Sequence, residues 1–322
     1  MSRRYTMFSA GDGSMRAALI DRARHPRAEF GLVFTDGLYE DADAYRYLIE
    51  GAAHVLGRHL SWVPSADDFP DYRVSEDTPI EEYRGNAEWR AFLRDLRART
   101  VDALPELQWL VEGRDPWEVF RDNAFLGNDN VDLCSRVLKR EMADKWRTAN
   151  CHRIGELYGP PDYFAVGIGE HEAHRFDDGQ GGGIGPRNLA DGWLYHAPLL
   201  TDPADFPSLF FAPLEQIGPK PPRLYGMGYM HNNCGGFCCR AGQAHYANRF
   251  RVQPVRFTYD ALMERKLVRF LGKNVSMLTD RRGGTRKPMT LDEFAERLRE
   301  EPRRAYEYEP GESGCGCMGA AA

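Results

Sequence analysis

The sequence predicts an α/β protein, a parallel sheet with crossover helices, and three observations lead there. Short apolar runs alternate with helical patterns over the first sixty residues. A loop of small residues, Ser9-Ala10-Gly11-Asp12-Gly13-Ser14, joins the first run to the first helical pattern. A further apolar run, YFAVGI over 163–168, comes late in the chain.

Taken in order, 4–8 reads as a strand, 9–13 as a loop and 14–24 as a helix. FGLVF over 30–34 is a second strand, and 42–56 has apolar residues at helical spacing. Residues 60–63 suggest a third strand. The polar stretch 64–106 looks like an insertion carrying one helix near 88–100, and LQWLV over 107–111 is another strand. Glycines crowd 177–186 without the spacing of a dinucleotide fingerprint, so 176–192 is expected to be a mobile loop. Beyond 203 the chain becomes helical, cysteine-rich and basic, which divides it into an α/β domain over 1–202 and a C-terminal region over 203–322 packed on it.

The charge balance sets limits on partners. With 42 basic and 48 acidic residues the formal charge is −6, so no global basic field recruits nucleic acid. Locally, 263–287 holds Arg265, Lys266, Arg269, Lys273, Arg281, Arg282, Arg286 and Lys287 against Glu264 and Asp280. That is either a phosphate-holding patch for a nucleic acid or a solvated basic face. No apolar run approaches the roughly 18 residues of a membrane span, and the start lacks an apolar leader, so a cytoplasmic protein without a membrane partner is expected. In that reducing compartment the seven cysteines are expected to be ligands, nucleophiles or core residues rather than disulfides.

The loop after the first strand suits an anion. Small residues let the backbone approach a ligand, and the helix start offers unpaired N–H groups and the positive end of its dipole. Ser9 and Ser14 add hydroxyls, although a tight turn with a serine cap has the same composition. Asp36, at the carboxyl end of the second strand, could bond a ribose, hold a cation such as magnesium, or cap a helix. Arg136 and Lys139, three apart, would present two cations on one helical face.

These segments resemble the PP-loop family of adenine-nucleotide α-hydrolases, which includes the sulfonucleotide reductases. The first loop is similar to S-G-G-x-D-S, with Ala10 for the first glycine and Gly13 for aspartate, as in the S-G-G-x-G-S of phage and bacterial phosphoadenylyl-sulfate (PAPS) reductase-like proteins. Phe34-Thr35-Asp36-Gly37 resembles F-x-D-T-G, and Cys134-Ser135-Arg136-Val137-Leu138-Lys139 resembles C-S-R-x-L-K. The segment from Gly167 to Arg175 is similar to the G-I-x-x-x-E-x-x-R element, which assigns Glu172 and Arg175 to the pocket. Pro222 to Tyr229 resembles P-L-Y-x-x-G-Y, and Asn232-Asn233-Cys234-Gly235-Gly236-Phe237-Cys238 is closest to the phage-type branch. The resemblance implies a HUP-type fold and an adenine nucleotide, ATP or adenylyl sulfate, bound by Ser9, Gly11, Gly13, Ser14, Asp36, Arg136, Lys139, Glu172 and Arg175.

Cysteine spacing adds a second centre. Cys234 and Cys238 form one close pair and Cys315 and Cys317 another, and together they would make a four-thiolate site for zinc or an iron–sulfur cluster. Cys134 and Cys239 are spare candidates, and reduced core thiols are the alternative. The reductases also use a tail cysteine as nucleophile, which makes Cys315 or Cys317 catalytic, although here no histidine follows them. The expected function is phosphate or sulfate chemistry on an adenine nucleotide: reduction of an adenylyl sulfate, or ATP-dependent adenylation and thiolation of a nucleic acid. A nucleotide-binding module without turnover is the non-enzymatic alternative.

Overall fold

Strand β1 (Arg3–Met7) alternates, with Arg4 and Thr6 buried, and pairs in parallel with β2 (Glu29–Asp36) and, on its other side, with β4 (Tyr163–Ala165). The structure, a computed structural model, describes residues 2–303 except 74, 129 and 130. With β3 (Leu107–Val111) and β5 (Leu194–His196) the strands form a five-stranded parallel sheet of order β3-β2-β1-β4-β5, flanked by helices. The chain therefore leaves β1 in both directions, and the crevice at the carboxyl ends of β1 and β4 is a topological switch point.

Helix α1 (Asp12–Arg24) follows β1 directly. Helix α2 (Ala42–Leu56) has the bounds its sequence predicts because both ends are marked. Asp41 accepts the Asp43 amide at the start, and Gly57 takes a left-handed φ of 66° at the end. Helix α3 (Ala87–Ala103) fills the 64–106 stretch, whose Tyr72, Tyr83 and Trp89 enter the main core. Then come α4 (Pro116–Asp122), a one-turn start at Leu133–Ser135, a π-helical stretch at Arg136–Arg140, and α5 (Glu141–Asn150).

Residues 60–63 are not a strand. Trp62 instead lies under the Arg99 guanidinium of α3, 3.8 Å from ring centroid to charge, so the insertion helix takes the apolar side chain that a sheet would have used. The 176–192 stretch is also more ordered in form than its glycines suggest. It contains α6 (Ile184–Ala190), whose preceding Gly183 has φ 86°.

Beyond 203 lie α7 (Gln243–Val252), α8 (Pro254–Leu271), a β6–β7 hairpin (Leu278–Asp280 with Lys287–Met289) and α9 (Leu291–Glu300). The buried apolar cluster runs from Phe8 to Leu298. A fully buried ion pair lies in the C-terminal part, Arg249 Nε 2.6 Å from Asp260, and the Tyr39 hydroxyl ties the first part to it by donating to Asp260 at 2.6 Å. Removing one partner of such a pair strands the other charge and costs about 3–5 kcal/mol.

Candidate functional site

The β1–α1 loop is closed from inside and braced from outside. Ser14 Oγ donates to the Gly11 carbonyl at 3.0 Å and accepts the Gly11 amide at 3.2 Å, and Ser9 Oγ stands 3.4 Å away. Ala10 takes a left-handed φ of 57°, a conformation that glycine adopts without strain. From the C-terminal part, Tyr225 accepts the Asp12 amide at 2.9 Å and the Asn232 amide donates to the Ala10 carbonyl at 2.8 Å. Gly13 meets Gly167 of the loop after β4; a Cβ on Gly13 would lie 2.6 Å from the Gly167 carbonyl oxygen.

Beside this loop, at the carboxyl ends of β1, β2 and β4, is a cavity of about 510 Å³. Met7, Phe8, Val33, Phe34, Val166 and Ile184 make its apolar side. Arg136, Lys139, Arg140 and Arg187 bring four cations to the lining against the three carboxylates of Glu141, Asp144 and Asp191, and Ser9, Thr35, Asn188 and Asn233 add neutral polar groups. An apolar slot whose charged lining has a small excess of cations takes a flat ring carrying an anionic group. Arg136 is half exposed, 3.7 Å from Glu141, whereas Lys139 is held 3.0 Å from the buried Glu40.

Of the expected binding residues, the structure brings Ser9, Arg136 and Lys139 to the cavity, and sets Gly11 at the N-cap and Gly13 and Ser14 in the first turn of α1, just beyond Ser9. Asp36 is placed otherwise. It is buried and accepts from the Leu38 amide at 2.7 Å, the Tyr45 hydroxyl at 2.8 Å and Trp109 Nε1 at 3.0 Å, so its oxygens organise the turn after β2 instead of facing a ribose or a cation. Burial, with Glu40 nearby, pushes its carboxyl up to about 6. Glu172 and Arg175 pair with each other on the short helical turns after β4, and neither lines the cavity. The two residues that the resemblance assigned to the pocket satisfy each other at i,i+3 within the turn itself.

The thiols gather. Cys134 and Cys239, from opposite halves of the sequence, have their sulfurs 3.8 Å apart. The Cys239 thiol is pushed well up, first by that contact, then by burial, then by Cys134, Cys238 and Cys234 around it. Cys234 and Cys238 are buried. Cys315 and Cys317 lie outside the described residues, and among the described residues no group of three or more His, Cys, Asp or Glu is arranged to hold a metal ion. The described residues therefore supply two of the four expected ligands.

The basic stretch is partly turned inward. Lys266 is buried and donates to the carbonyls of Ser75 and Thr78, Arg265 faces Asp292 at 3.4 Å, and Arg282 and Arg297 share Asp280. Among the described residues no helix is long and apolar enough to cross a membrane. Arg140, Arg187, Asn188 and Asn233 reach the cavity without having been singled out in the sequence. Asn233 alone had a signal, its place beside Cys234. No family model, no curated protein and no solved structure matches this chain.

Proposed function

We propose that the chain is a PP-loop protein of HUP type, resembling the PAPS reductase-like branch, and that it binds an adenine nucleotide in the 510 Å³ cavity. The observation that carries this is the cavity's composition: an apolar slot beside a small-residue strand–helix loop, lined by four cations against three carboxylates, at a topological switch point. The volume lies within the roughly 300–1,000 Å³ of small-molecule sites. The left-handed Ala10, standing where the resembled pattern has glycine, supports the loop assignment.

In this reading the adenine enters the slot formed by Phe8, Phe34 and Ile184, and its phosphate or sulfate lies between the α1 start and the cations. Ser9, Arg136, Lys139 and Arg187 would stabilise negative charge on the phosphoryl or sulfonyl oxygens as it develops. Two reactions fit: reduction of an adenylyl sulfate by two thiols, which end as a disulfide while sulfite and the adenosine phosphate leave, or adenylation of a nucleic acid by ATP with pyrophosphate released, followed by displacement of AMP by a sulfide donor. Cys234 and Cys238, with Cys315 and Cys317, would hold a zinc ion or an iron–sulfur cluster, which would supply a structural staple or redox chemistry. A magnesium ion would accompany ATP.

Calorimetry with ATP and with adenylyl sulfate tests binding, and assays of pyrophosphate and sulfite sort the reactions. A well-folded protein that binds neither nucleotide sinks the proposal. Tight binding without either product selects the non-catalytic module.

A further inference from the structure

Glu40 sits just before α2 with 3% of its surface exposed, and its two carboxylate oxygens serve two different parts of the molecule. Oε1 lies 3.0 Å from Lys139 Nζ, on the cavity wall. Oε2 accepts the backbone amide of Cys234. That amide belongs to a sharply shaped turn: Cys234 has φ 54°, Gly235 58° and Gly236 78°, all left-handed. The turn has no slack on the Glu40 side, because a Cβ on Gly235 would stand 2.7 Å from the Tyr39 carbonyl oxygen. The two preceding residues also reach the nucleotide site. Asn233 lines the cavity and Asn232 holds the Ala10 carbonyl.

We propose that Glu40 is a positioning residue that couples the Cys234 turn to the nucleotide cavity, so that nucleotide occupancy changes the reactivity of the Cys234 thiol. The proposal rests on the nucleotide reading above. Its physics is that of a shared buried counter-ion. An anionic ligand that draws Lys139 toward itself weakens the Lys139–Glu40 pair, and a buried carboxylate losing its cation leans harder on the Cys234 amide. The turn then shifts or tightens, and the thiol beside it feels the change. By linkage, whatever nucleotide does to the turn, chemistry at the turn does to nucleotide affinity.

The test uses the reduced full-length chain, treated with a chelator so that the thiols are free, and an aromatic disulfide reagent, with the Cys234 rate taken as the difference between wild type and Cys234→Ser. Saturating ATP, or adenylyl sulfate if that is what binds, should change the rate by about fivefold or more, the lower end of usual coupling strengths. Glu40→Gln keeps an acceptor for the Cys234 amide but removes the charge. It should still bind nucleotide by calorimetry while the nucleotide effect on the thiol shrinks to within about twofold. Lys139→Gln breaks the same bridge from the cavity side, and its nucleotide-free thiol rate should move in the direction that nucleotide moves the wild type. An equal nucleotide effect in wild type and Glu40→Gln, or an unchanged rate in Lys139→Gln, overturns the coupling with the nucleotide reading left standing. Failure of both nucleotides to bind the wild type overturns the reading and takes the coupling with it.

Discussion

Gly13 and Gly167 touch backbone to backbone where the first turn of α1 meets the loop after β4: a Cβ built on Gly167 would stand 2.4 Å from the Gly13 carbonyl carbon. Each therefore excludes a side chain on the other. Gly13→Asp, which would complete the wider PP-loop pattern, should destabilise instead of restoring anything. Overpacking of this kind costs about 1–3 kcal/mol and would push the loop off the cavity. Urea unfolding and nucleotide titration check it. Unchanged stability with unchanged affinity would show that the two segments are not in contact.

Electrostatics on the cavity wall should be divided unequally among the cations singled out by the sequence. Arg136→Ala and Lys139→Ala, both on the wall, should each weaken nucleotide binding by about tenfold, or ~1.4 kcal/mol. Arg175→Ala removes a charge already paired with Glu172 outside the cavity and should change affinity by less than about threefold. Calorimetry at two salt concentrations reads both. An Arg175 effect as large as that of Lys139 would place the ligand elsewhere.

The parts of this arrangement legible in sequence were those with local signals. Helix α2 announces itself by Asp41 and Gly57, and LQWLV is apolar enough to be a strand wherever it sits. By contrast β5 has only Leu194, Tyr195 and His196, and its strand character comes from pairing with β4, a long-range fact. Asp36 shows the opposite failure. Its position at a strand end was correct, but Tyr45 and Trp109, which claim its oxygens, are 9 and 73 residues away. The Cys134–Cys239 contact spans 105 residues, and only the fold brings the two halves together.

Helix α6 shows how a glycine-rich stretch can still build a wall. Arg147, on α5, donates to Asn188 at 2.5 Å, to the Tyr195 hydroxyl at 3.0 Å and to Asp144 at 2.9 Å, and all three acceptors line the cavity. Its guanidinium also lies 4.5 Å from the centre of the Trp193 ring. Arg147→Met keeps the stem packed but removes these bonds, and it should weaken nucleotide binding about tenfold. Arg147→Lys should recover part of the loss. Proteolysis within 177–183 should quicken in the methionine variant, and an unchanged cleavage rate would mean that α6 is held by something else.

Glu264 gives a prediction in pH. It is buried in the C-terminal part, accepts the amides of Met277 at 2.7 Å and Leu291 at 2.6 Å, and burial pushes its carboxyl up to about 7. A carboxyl whose folded value is raised holds its proton longer in the folded state. Its contribution to stability is complete below the unfolded value of about 4.3 and is lost as pH rises through about 7. Wild-type unfolding free energy should thus carry a falling component between pH 5 and 7, which Glu264→Gln lacks. Parallel stability curves for the two proteins over that range would remove Glu264 from the account.

Metal content decides what the thiols are for. Protein purified without oxygen should carry either iron with a visible absorption band or one colourless zinc per chain, and Cys234→Ala and Cys238→Ala should each abolish it. Because the described residues supply two of the four expected ligands, Cys315→Ala should have the same effect, while Cys134→Ala separates the alternatives. Metal that survives Cys315→Ala but not Cys134→Ala would move the site to the Cys134–Cys239 contact and free the tail thiols to act as nucleophiles. Zinc held by Cys234, Cys238, Cys315 and Cys317 would make the centre a staple within the C-terminal part, and its removal by a chelator should lower the melting temperature without touching the cavity. Iron would put a redox group next to the turn that Glu40 holds. No metal in any preparation would end the four-thiolate assignment and leave Cys134 and Cys239 as reduced core thiols.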